Sequence, residues 1–324
     1  MTGTVVVMVT GSVLANGQGS QISDQRRNAQ ALAEGLTGLL LSGRKAIVLH
    51  GNKPQVGFVL FRSELASHIL HPIPLDVCGA DTQGATGYML SMAFANVFSL
   101  HKVSRRVMAV ITQTVVEANP PAHEARTRPI GPYFDREKAE NYRQTRGWSI
   151  AEEPGRGYRR AVPCLPATEI IEMDGIRRMV NDGDLVIASG GGGIPVVRDG
   201  QGRLEGIEAV VETEQVACLL ARQLVAEEFL MIVDRDDSFI LAGLATEGGN
   251  AMSLEALDRF LAEKPMRSSS VESKLKAASA FLHQGGRRVI VTTLRKLADA
   301  LAGQGGLRIQ STTAAEPTPA PDQN

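Results

Sequence analysis

Short apolar runs recur along the chain, and longer stretches with the helical spacing of apolar residues separate them. The runs are rich in Val, Ile and Leu, which is typical of strands that are buried on both faces of a sheet. Strands that alternate with helices usually form a mostly parallel sheet, so this order predicts an α/β fold. We predict strands at Val5–Val9, Ala46–Leu49, Val107–Ile111, Leu185–Ala188, Phe229–Val233 and Val289–Thr292.

The stretches between these runs predict the helices. Ser253 precedes one of them and has the character of an N-cap residue. We predict helices at Asp24–Leu41, Gln55–His71, Gln83–Ser99, Ile170–Asn181, Glu214–Leu224, Leu254–Glu263, Val271–Gln284 and Arg295–Leu301.

Composition and charge exclude several classes of protein. Hydrophobic residues make up 43% of the 324 residues, which is enough for one large α/β domain or two smaller ones. The formal net charge is −1, so no overall field would recruit nucleic acid or an anionic membrane. Cys78, Cys164 and Cys218 lie far apart, which argues against disulfides and a zinc site. We therefore predict a cytoplasmic protein without nucleic-acid or membrane partners and assign no metal ligands.

One long segment, residues 119–165, differs from the rest of the chain. It contains the only Trp and three of the four Tyr, and its nine Lys and Arg residues outnumber its six acidic residues. It could be a surface excursion that packs on its own aromatic residues, or a lid that offers arginines to an anion. Its length and basic character favour the lid. Residues 1–310 then form the domain, and residues 311–324 form a disordered tail.

Four consecutive glycines follow the predicted strand Leu185–Ala188 and the residue Ser189. Glycine has no Cβ, so backbone N–H groups can approach a ligand, and loops at the carboxyl ends of parallel strands line the usual ligand crevice. Successive N–H groups there can bind an anion. A tight turn would need only one or two glycines. The loop Ser189–Gly193 therefore predicts a cradle for a small anion or for a phosphoryl group in transfer.

Other glycine-containing turns follow strand-like runs at Val9–Ser12 and Leu49–Gly57. No glycine loop matches the phosphate-binding pattern GxxxxGK[ST]. The dinucleotide pattern GxGxxG is also absent, because Gly190 and Gly192 are followed by Pro195 where the third glycine belongs. The sequence also lacks GxSxG and HExxH. A dinucleotide site is therefore disfavoured. His50 and Gln55, which belong to the second turn, have no assigned role.

Six segments in order resemble the carbamate kinases, which are members of the amino-acid kinase superfamily. The resemblance runs from about Val5 to Ile309. Its segments are HGNKPQVG (50–57), DVCGADTQGATGYML (76–90), TRPIGPYF (127–134), GRGYRRAVP (155–163), IASGGGGIPVV (187–197) and LEGIEAVVE (204–212).

The resemblance implies a three-layer α/β/α sandwich around a mostly parallel central sheet, with residues 119–165 as a protruding lid. It implies reversible phosphoryl transfer between carbamoyl phosphate and ADP, which gives ATP and carbamate, with Mg²⁺ bound to the nucleotide. It further implies a homodimer and a place in arginine and nitrogen metabolism.

The resemblance also implies three sets of site residues. Lid arginines would close over the anion, glycine N–H groups would hold the carbamoyl phosphate, and lysines would neutralise the phosphoryl charge. The catalytic set is Lys274, Arg128 and Lys53. The substrate-binding set is Gly11, Ser12, Gly51, Asn52, Ser189, Gly190, Gly191, Gly192, Gly193 and Arg156. The nucleotide-binding set is Asp234, Thr213 and Lys274.

Several positions depart from the family pattern. Ser12 stands where the first loop of the family has Asn, Lys53 replaces a glycine, and Thr213 replaces a phosphate-binding lysine. Asp237 and Glu272 add negative charge beside the expected polyphosphate. Loss of one charge-assisted contact costs about 1.5–3 kcal/mol, which would slow turnover roughly 10- to 100-fold.

Two functions therefore stay open. One is an active carbamate kinase in which Lys53 supplies the charge that is lost at Thr213. The other is a carbamate-kinase-like protein without kinase activity, which would bind a carbamoyl compound or small anion as a sensor or as a subunit of a carbamoyl-transfer or ureide-degrading complex. The retained Lys274, Arg128 and Asp234 favour the kinase. A different amino-acid kinase with an acyl substrate is disfavoured by the intact glycine loop and the basic lid.

Overall fold

The computed structural model describes residues 3–15, 21–120, 126–235, 237, 250–263 and 269–311. Within these residues the strands β1 to β15 lie at Thr4–Val9, Lys45–His50, Val107–Ala109, Gln113–Val116, Arg126–Phe134, Ser149–Glu153, Gly157–Cys164, Ala167–Ile170, Leu185–Ile187, Ile194–Arg198, Leu204–Gly206, Ala226–Val233, Ala251–Ser253, Arg288–Thr293 and Leu307–Gln310. The α-helices α1 to α11 lie at Gly11–Leu14, Ile22–Gly35, Thr37–Leu41, Lys53–Ala66, Leu75–Leu100, Arg136–Arg146, Met173–Asn181, Thr213–Gln223, Leu254–Glu263, Ser269–His283 and Leu297–Leu301.

The main sheet has eight strands in the order β13-β15-β14-β12-β1-β2-β9-β3. Its neighbouring strands are parallel except for β14 and β15, which pair antiparallel. All six predicted strands are confirmed within this sheet, with small differences at their ends. The sequence patterns missed the short strands β13 and β15.

Strand β1 shows why helices cover both faces of this sheet. All six of its residues are buried. Val5 and Val7 pack into the same core as Leu32 of α2, whereas Val6 and Met8 pack into the core on the opposite face. Burial of one such side chain contributes about 1.5–3 kcal/mol, so alternating apolar residues hold a helical layer on each side. The predicted three-layer α/β/α sandwich is confirmed.

Four predicted helices differ from the structure. Helix α4 ends at Ala66 rather than at His71. Helix α5 begins at Leu75, eight residues before the predicted start at Gln83. Gly87 lets this helix approach the sheet closely, since a Cβ there would lie 3.1 Å from the Cβ of Ala109. The predicted helix Asp24–Leu41 is divided at Leu36 into α2 and α3. The helix predicted at Ile170–Asn181 begins only at Met173, because Ile170 still belongs to β8.

Residues 126–164 form a three-stranded antiparallel sheet, in the order β5-β7-β6, with α6 packed beside it. The Tyr142 ring centroid lies 5.0 Å from that of Phe134 and 4.8 Å from that of Trp148. This segment, the predicted lid, therefore has a small aromatic core of its own. Residues 121–125 of the predicted lid and residues 312–324 of the predicted tail lie outside the described residues, so both boundaries stay predictions.

A second sheet of four strands, in the order β11-β10-β4-β8, supports the glycine loop. The chain enters the loop from β9 and leaves it into β10, which pairs parallel with β4. In the described part of the chain, no helix is long and apolar enough to cross a membrane.

The aromatic core of the lid gives a test of its independence. Trp148 is the only tryptophan, so its fluorescence reports on this core alone. Tyr142→Ala removes the ring that contacts Phe134 and Trp148, and such truncations cost about 3–5 kcal/mol. We expect a red shift of the Trp148 emission at a urea concentration that leaves the far-UV circular dichroism unchanged. Tyr142→Phe, which keeps the ring, is the control, and simultaneous loss of both signals would contradict separate unfolding of the lid.

Candidate functional site

The loops after β12, β1 and β2 meet at one edge of the main sheet. These strands are neighbours and parallel, so their carboxyl ends lie side by side. A cleft of about 310 Å³ opens at this edge. It brings together eight of the predicted site residues, which are Gly11, Ser12, Gly51, Lys53, Arg128, Thr213, Asp234 and Lys274.

Gly11 and Gly51 shape the floor of the cleft. A Cβ on Gly51 would lie 2.6 Å from the backbone nitrogen of Gly11, and a Cβ on Gly11 would lie 3.0 Å from the carbonyl carbon of Gly51. Any side chain at Gly51 would therefore push the two loops apart. The close approach of the backbones requires glycine here and brings the first two loops together.

Lys274 is a nearly fully buried cation that lines the cleft from α10. Its Nζ lies 3.0 Å from Asp237 Oδ2 and 3.3 Å from Glu214 Oε1, and it donates a 2.7 Å hydrogen bond to Ser270 Oγ. Burial by itself would lower the pKa of Lys274, but the two carboxylates outweigh burial and raise it. The side chain is therefore a fixed positive charge at the cleft wall.

Glu212, the N-cap residue of α8, collects two further cations. Arg128 Nε, from lid strand β5, donates to Glu212 Oε1 at 2.5 Å, and Lys53 Nζ lies 3.8 Å from Oε2. Burial raises the pKa of the Cys164 thiol to about 12, so the thiol stays protonated and donates to Oε1 at 3.5 Å. Burial opposes ionisation of Glu212, but Lys53 and Arg128 lower its pKa below the usual value.

Asp234 follows β12 and organises the loop beside Lys274. Ser12 Oγ donates to Asp234 Oδ2 at 2.7 Å, and the backbone N–H of Asp237 donates to Oδ1 at 2.9 Å. Asp234 thereby links the loop after β1 to the loop after β12.

The cleft combines equal numbers of positive and negative side chains. Its cations are Lys53, Arg128, Arg159 and Lys274. Its carboxylates are Glu212, Glu214, Asp234 and Asp237. Because Lys53, Arg128 and Lys274 each lie within ion-pair distance of a carboxylate, an entering phosphate group must compete with these carboxylates.

The glycine loop does not line this cleft. Gly191, Gly192 and Gly193 have positive φ angles of 69°, 93° and 90°, which favour glycine. A Cβ on Gly191 would clash with the Asn52 amide, and a Cβ on Gly193 would clash with the Thr114 hydroxyl. The four-glycine sequence is therefore explained in part by close packing against the residue before α4 and against strand β4.

Three of the five N–H groups of the predicted anion cradle Ser189–Gly193 are already engaged. The N–H of Ser189 donates to Thr112 Oγ1 at 2.9 Å, and the other two bonds lie within the loop. The N–H of Gly192 donates to the carbonyl oxygen of Ser189 at 3.0 Å, and the N–H of Gly193 donates to that of Gly190 at 3.1 Å. The roles of Ser189 and of the four glycines in binding substrate stay predictions.

His50 and Asn52 support the glycine loop from behind. A Cβ on Gly190 would lie 2.5 Å from His50 Nε2, and burial lowers the pKa of His50 to about 4, so the ring is neutral at physiological pH. Asn52 Nδ2 donates to Thr82 Oγ1 at 2.9 Å. Both residues hold the loop, and neither lines the cleft.

The structure leaves the predicted Arg156 outside the cleft and places Arg159 inside it. Arg156 lies just before β7, has a largely exposed side chain, and stacks 5.1 Å from the ring centroid of Tyr133. Alternation along a strand sends Arg159 to the face opposite Tyr158 and Arg160. This period of two separates Arg159 from Arg160 but not from Arg156, which precedes the strand and lies over the same Tyr133 ring as Arg159. The role of Arg156 stays a prediction.

Two other lid arginines attach the lid to the rest of the domain. Arg146 pairs with Glu64 of α4 at 2.6 Å, and Arg160 pairs with Glu208. Both guanidinium groups also lie over the Trp148 ring, at 5.5 Å and 4.8 Å from its centroid. The basic character of the lid therefore has a structural cause as well as the predicted role of offering arginines to an anion.

Comparison with known proteins agrees with this fold. A sequence model of the amino acid kinase family matches residues 3–293. A carbamate kinase of Pyrococcus horikoshii is 33% identical over 94% of this chain and 98% of its own length. The carbamate kinase-like protein YahI of Escherichia coli is 34% identical over 95% of this chain and 99% of its own. A carbamate kinase of Giardia lamblia, solved bound to AMP-PNP, has a TM-score of 0.83 and 27% identity, with 96% of this chain and 99% of that chain covered.

The chain therefore belongs to the amino acid kinase family and, within it, to the carbamate kinase family. The relatives are matched over nearly their whole length, so the resemblance includes the lid as well as the central sheet.

Glu212→Gln tests the buried carboxylate that Arg128 and Lys53 share. Breaking a buried ion pair leaves an uncompensated charge, so we expect the free energy of unfolding at pH 7 to fall by about 3 kcal/mol. The pKa of Glu212 is lowered in the folded state, so the wild-type advantage is full above the ordinary value of about 4.5 and shrinks as the pH falls through the lower folded value.

Urea unfolding at pH 7 and near pH 3 measures this difference. The exposed Glu205→Gln is the control, and we expect little change at either pH. An equal loss at both pH values in Glu212→Gln would contradict the assigned ionisation.

Proposed function

We propose that the protein is a carbamate kinase, which transfers a phosphoryl group reversibly between carbamoyl phosphate and ADP and gives ATP and carbamate. The observation that carries this proposal is the buried Lys274 ammonium, which two carboxylates hold at the wall of a cleft beside the ends of β1, β2 and β12. Phosphoryl transfer depends mainly on positioning and on neutralising charge, which such a group supplies. The similarity to proteins named carbamate kinase supports the same reaction.

In this proposal Lys274 neutralises the transferring phosphoryl group, and Arg128 closes over the anion from the lid. Lys53 supplies the charge that Thr213 lacks. The supporting geometry is that Lys53 begins α4, lines the cleft, and has its Nζ 3.8 Å from Glu212, which is the neighbour of Thr213. The side chain of Lys53 is 66% exposed, so it can turn toward an entering phosphate.

We propose that Mg²⁺ enters with the nucleotide as part of the substrate. Within the described part of the chain, no group of three or more His, Cys, Asp or Glu side chains could hold a metal. Mg²⁺ is commonly bound through one or two carboxylates together with phosphate oxygens and water. Asp234 and Asp237 are the carboxylates at this edge that could contact it, and both already hold protein groups. The residues therefore fit an ion carried mainly by the phosphates.

The homodimer and the place in arginine and nitrogen metabolism also remain proposals. Strand β3 ends the main sheet, and Met108 and Ile111 are exposed at this edge, which supports pairing there with a second copy.

Two lysine variants test the kinase proposal in a coupled assay for ATP from ADP, Mg²⁺ and carbamoyl phosphate. Lys53→Met removes one charge-assisted contact, so we expect kcat to fall roughly 10- to 100-fold. Lys274→Arg keeps the charge inside its carboxylate pocket but changes the donor geometry, and we expect a loss of at least about tenfold. Lys276→Met, on the exposed face of the same helix, is the matched control. Full activity in both folded variants would show that the site is assigned wrongly.

The paired charges of the cleft favour a second function. Each of Lys53, Arg128 and Lys274 already has a carboxylate partner, which a polyphosphate would have to displace. Such a cleft suits a protein without kinase activity that binds a carbamoyl compound or a small anion, as a sensor or as a subunit of a carbamoyl-transfer or ureide-degrading complex.

Calorimetry separates the two functions. A kinase should bind Mg·ADP with a micromolar dissociation constant, because the nucleotide is its substrate. A protein of the second kind should bind carbamoyl phosphate and show no heat with Mg·ADP. Micromolar binding of Mg·ADP would count against the second function.

A further inference from the structure

A second cavity, of about 430 Å³, lies between α2, α4 and α5. It shares no lining residue with the cleft, and helix α4 separates the two. Lys53 and Pro54 of this helix line the cleft, whereas Gln55 and Phe58 line the cavity. The cavity is therefore a distinct site on the other side of the first turn of α4.

Two buried polar residues of this cavity lack hydrogen-bond partners. Gln55 is 6% exposed and Thr86 is 2% exposed. In the described part of the chain, the two polar atoms of the Gln55 amide have no hydrogen-bond partner, and the Thr86 hydroxyl has none either. Seven buried side-chain nitrogen and oxygen atoms in the described residues lack a hydrogen-bond partner, and three of them belong to residues that line this cavity. Buried polar groups are almost always satisfied, because an unmade hydrogen bond is costly.

Gln83 shows what a structural glutamine looks like in the same protein. It is 4% exposed, and its Nε2 donates to the carbonyl oxygens of Thr112 and Gly190 at 3.1 Å and 3.2 Å. Its Oε1 accepts from the Thr112 N–H at 2.8 Å. Gln55 is equally buried and makes none of these bonds, so its amide has no structural task that the fold reveals.

Opposite charges lie at the exposed part of the same cavity. Arg62 and Asp81 both line it, both are exposed, and neither has an ion-pair partner within the residues that the structure describes. Gln55 and Arg62 are seven residues apart on α4, which places them on one face and about 10 Å apart along the helix axis. Apolar side chains, among them Phe58 and Met89, line the same cavity.

We propose that this cavity binds a small zwitterion that carries a carboxamide or ureido group. The Gln55 amide and the Thr86 hydroxyl are closed to solvent as they stand, so both side chains must turn to meet a ligand. The turned amide of Gln55 offers one acceptor and donors, and a carboxamide or ureido group offers the complementary pair, with Thr86 as a further partner. Arg62 binds the carboxylate of the ligand, and Asp81 binds its ammonium group. An aliphatic chain between the two ends packs on the apolar wall. Amino acids with an amide or ureido side chain have this chemistry.

The probes are L-citrulline and L-glutamine, titrated into the full chain by isothermal calorimetry without nucleotide or carbamoyl phosphate. We expect both to bind and L-ornithine, which lacks the side-chain carbonyl group, to bind at least about tenfold more weakly. Gln55→Met and Arg62→Ala should each weaken binding of the first two probes about tenfold or more. Lys274→Arg, a variant of the cleft, should bind them as the wild type does.

Gln55→Met also tests whether the Gln55 amide has a structural partner in the absence of ligand. An unpaired buried amide replaced by an apolar chain of similar shape should leave Tm unchanged or raise it, so we expect this of Gln55→Met. Gln83→Met, the matched control, should lower Tm by several degrees, because it leaves the Thr112 and Gly190 groups unsatisfied.

Three results would overturn the proposal. An equal fall in Tm for Gln55→Met and Gln83→Met would show that Gln55 has structural partners. Equal heats for L-ornithine and for the two amide probes would show that the carbonyl group is not recognised. Loss of binding in Lys274→Arg would show that the probes occupy the cleft. Because none of these tests uses the kinase assay, they stand apart from the proposed function.

Discussion

The buried carboxylate of Glu212 joins the lid to the central sheet. Glu212 is the N-cap residue of α8. Its carboxylate accepts from the Arg128 guanidinium of β5 and lies within ion-pair distance of Lys53 at the start of α4. A carboxylate in this position is stable only because the cations compensate its burial. The arrangement in turn fixes where those cations stand. The arrangement of cations in the cleft therefore depends on this ionised side chain, which holds the lid together with the Arg146–Glu64 and Arg160–Glu208 pairs.

The cleft thus holds its positive charge together with a matching negative charge. Lys274 is neutralised by Glu214 and Asp237, as Arg128 is by Glu212. A bound phosphate would exchange partners with these carboxylates, and the net gain would be smaller than the Coulomb attraction alone suggests. The same balance explains how a site built for anions can stay folded when it is empty. It also explains why kinase and anion-binding functions both agree with the geometry.

The cavity behind α4 differs in kind from the cleft. In the cleft the buried charges are paired within the protein, whereas in the cavity the Gln55 amide and the Thr86 hydroxyl have no partner in the described part of the chain. One helix serves both, with Lys53 lining the cleft and Gln55 lining the cavity. Neighbouring residues of a helix point in different directions, so a single turn can contribute to two sites.

The sequence by itself determined the six central strands and the layers on both faces, because apolar runs and their spacing reflect burial directly. It also indicated the family, through six segments that resemble those of the carbamate kinases. It misplaced the start of α5, since Gly79 lies inside this helix and a glycine in a helix looks the same in the sequence as a glycine in a turn. Only the tertiary structure decided that Arg159 lines the cleft where Arg156 does not, and that Gln55 is unpaired where Gln83 is bonded. Those facts depend on contacts between residues that are distant in the chain, and the type of a residue does not show which other residues it contacts.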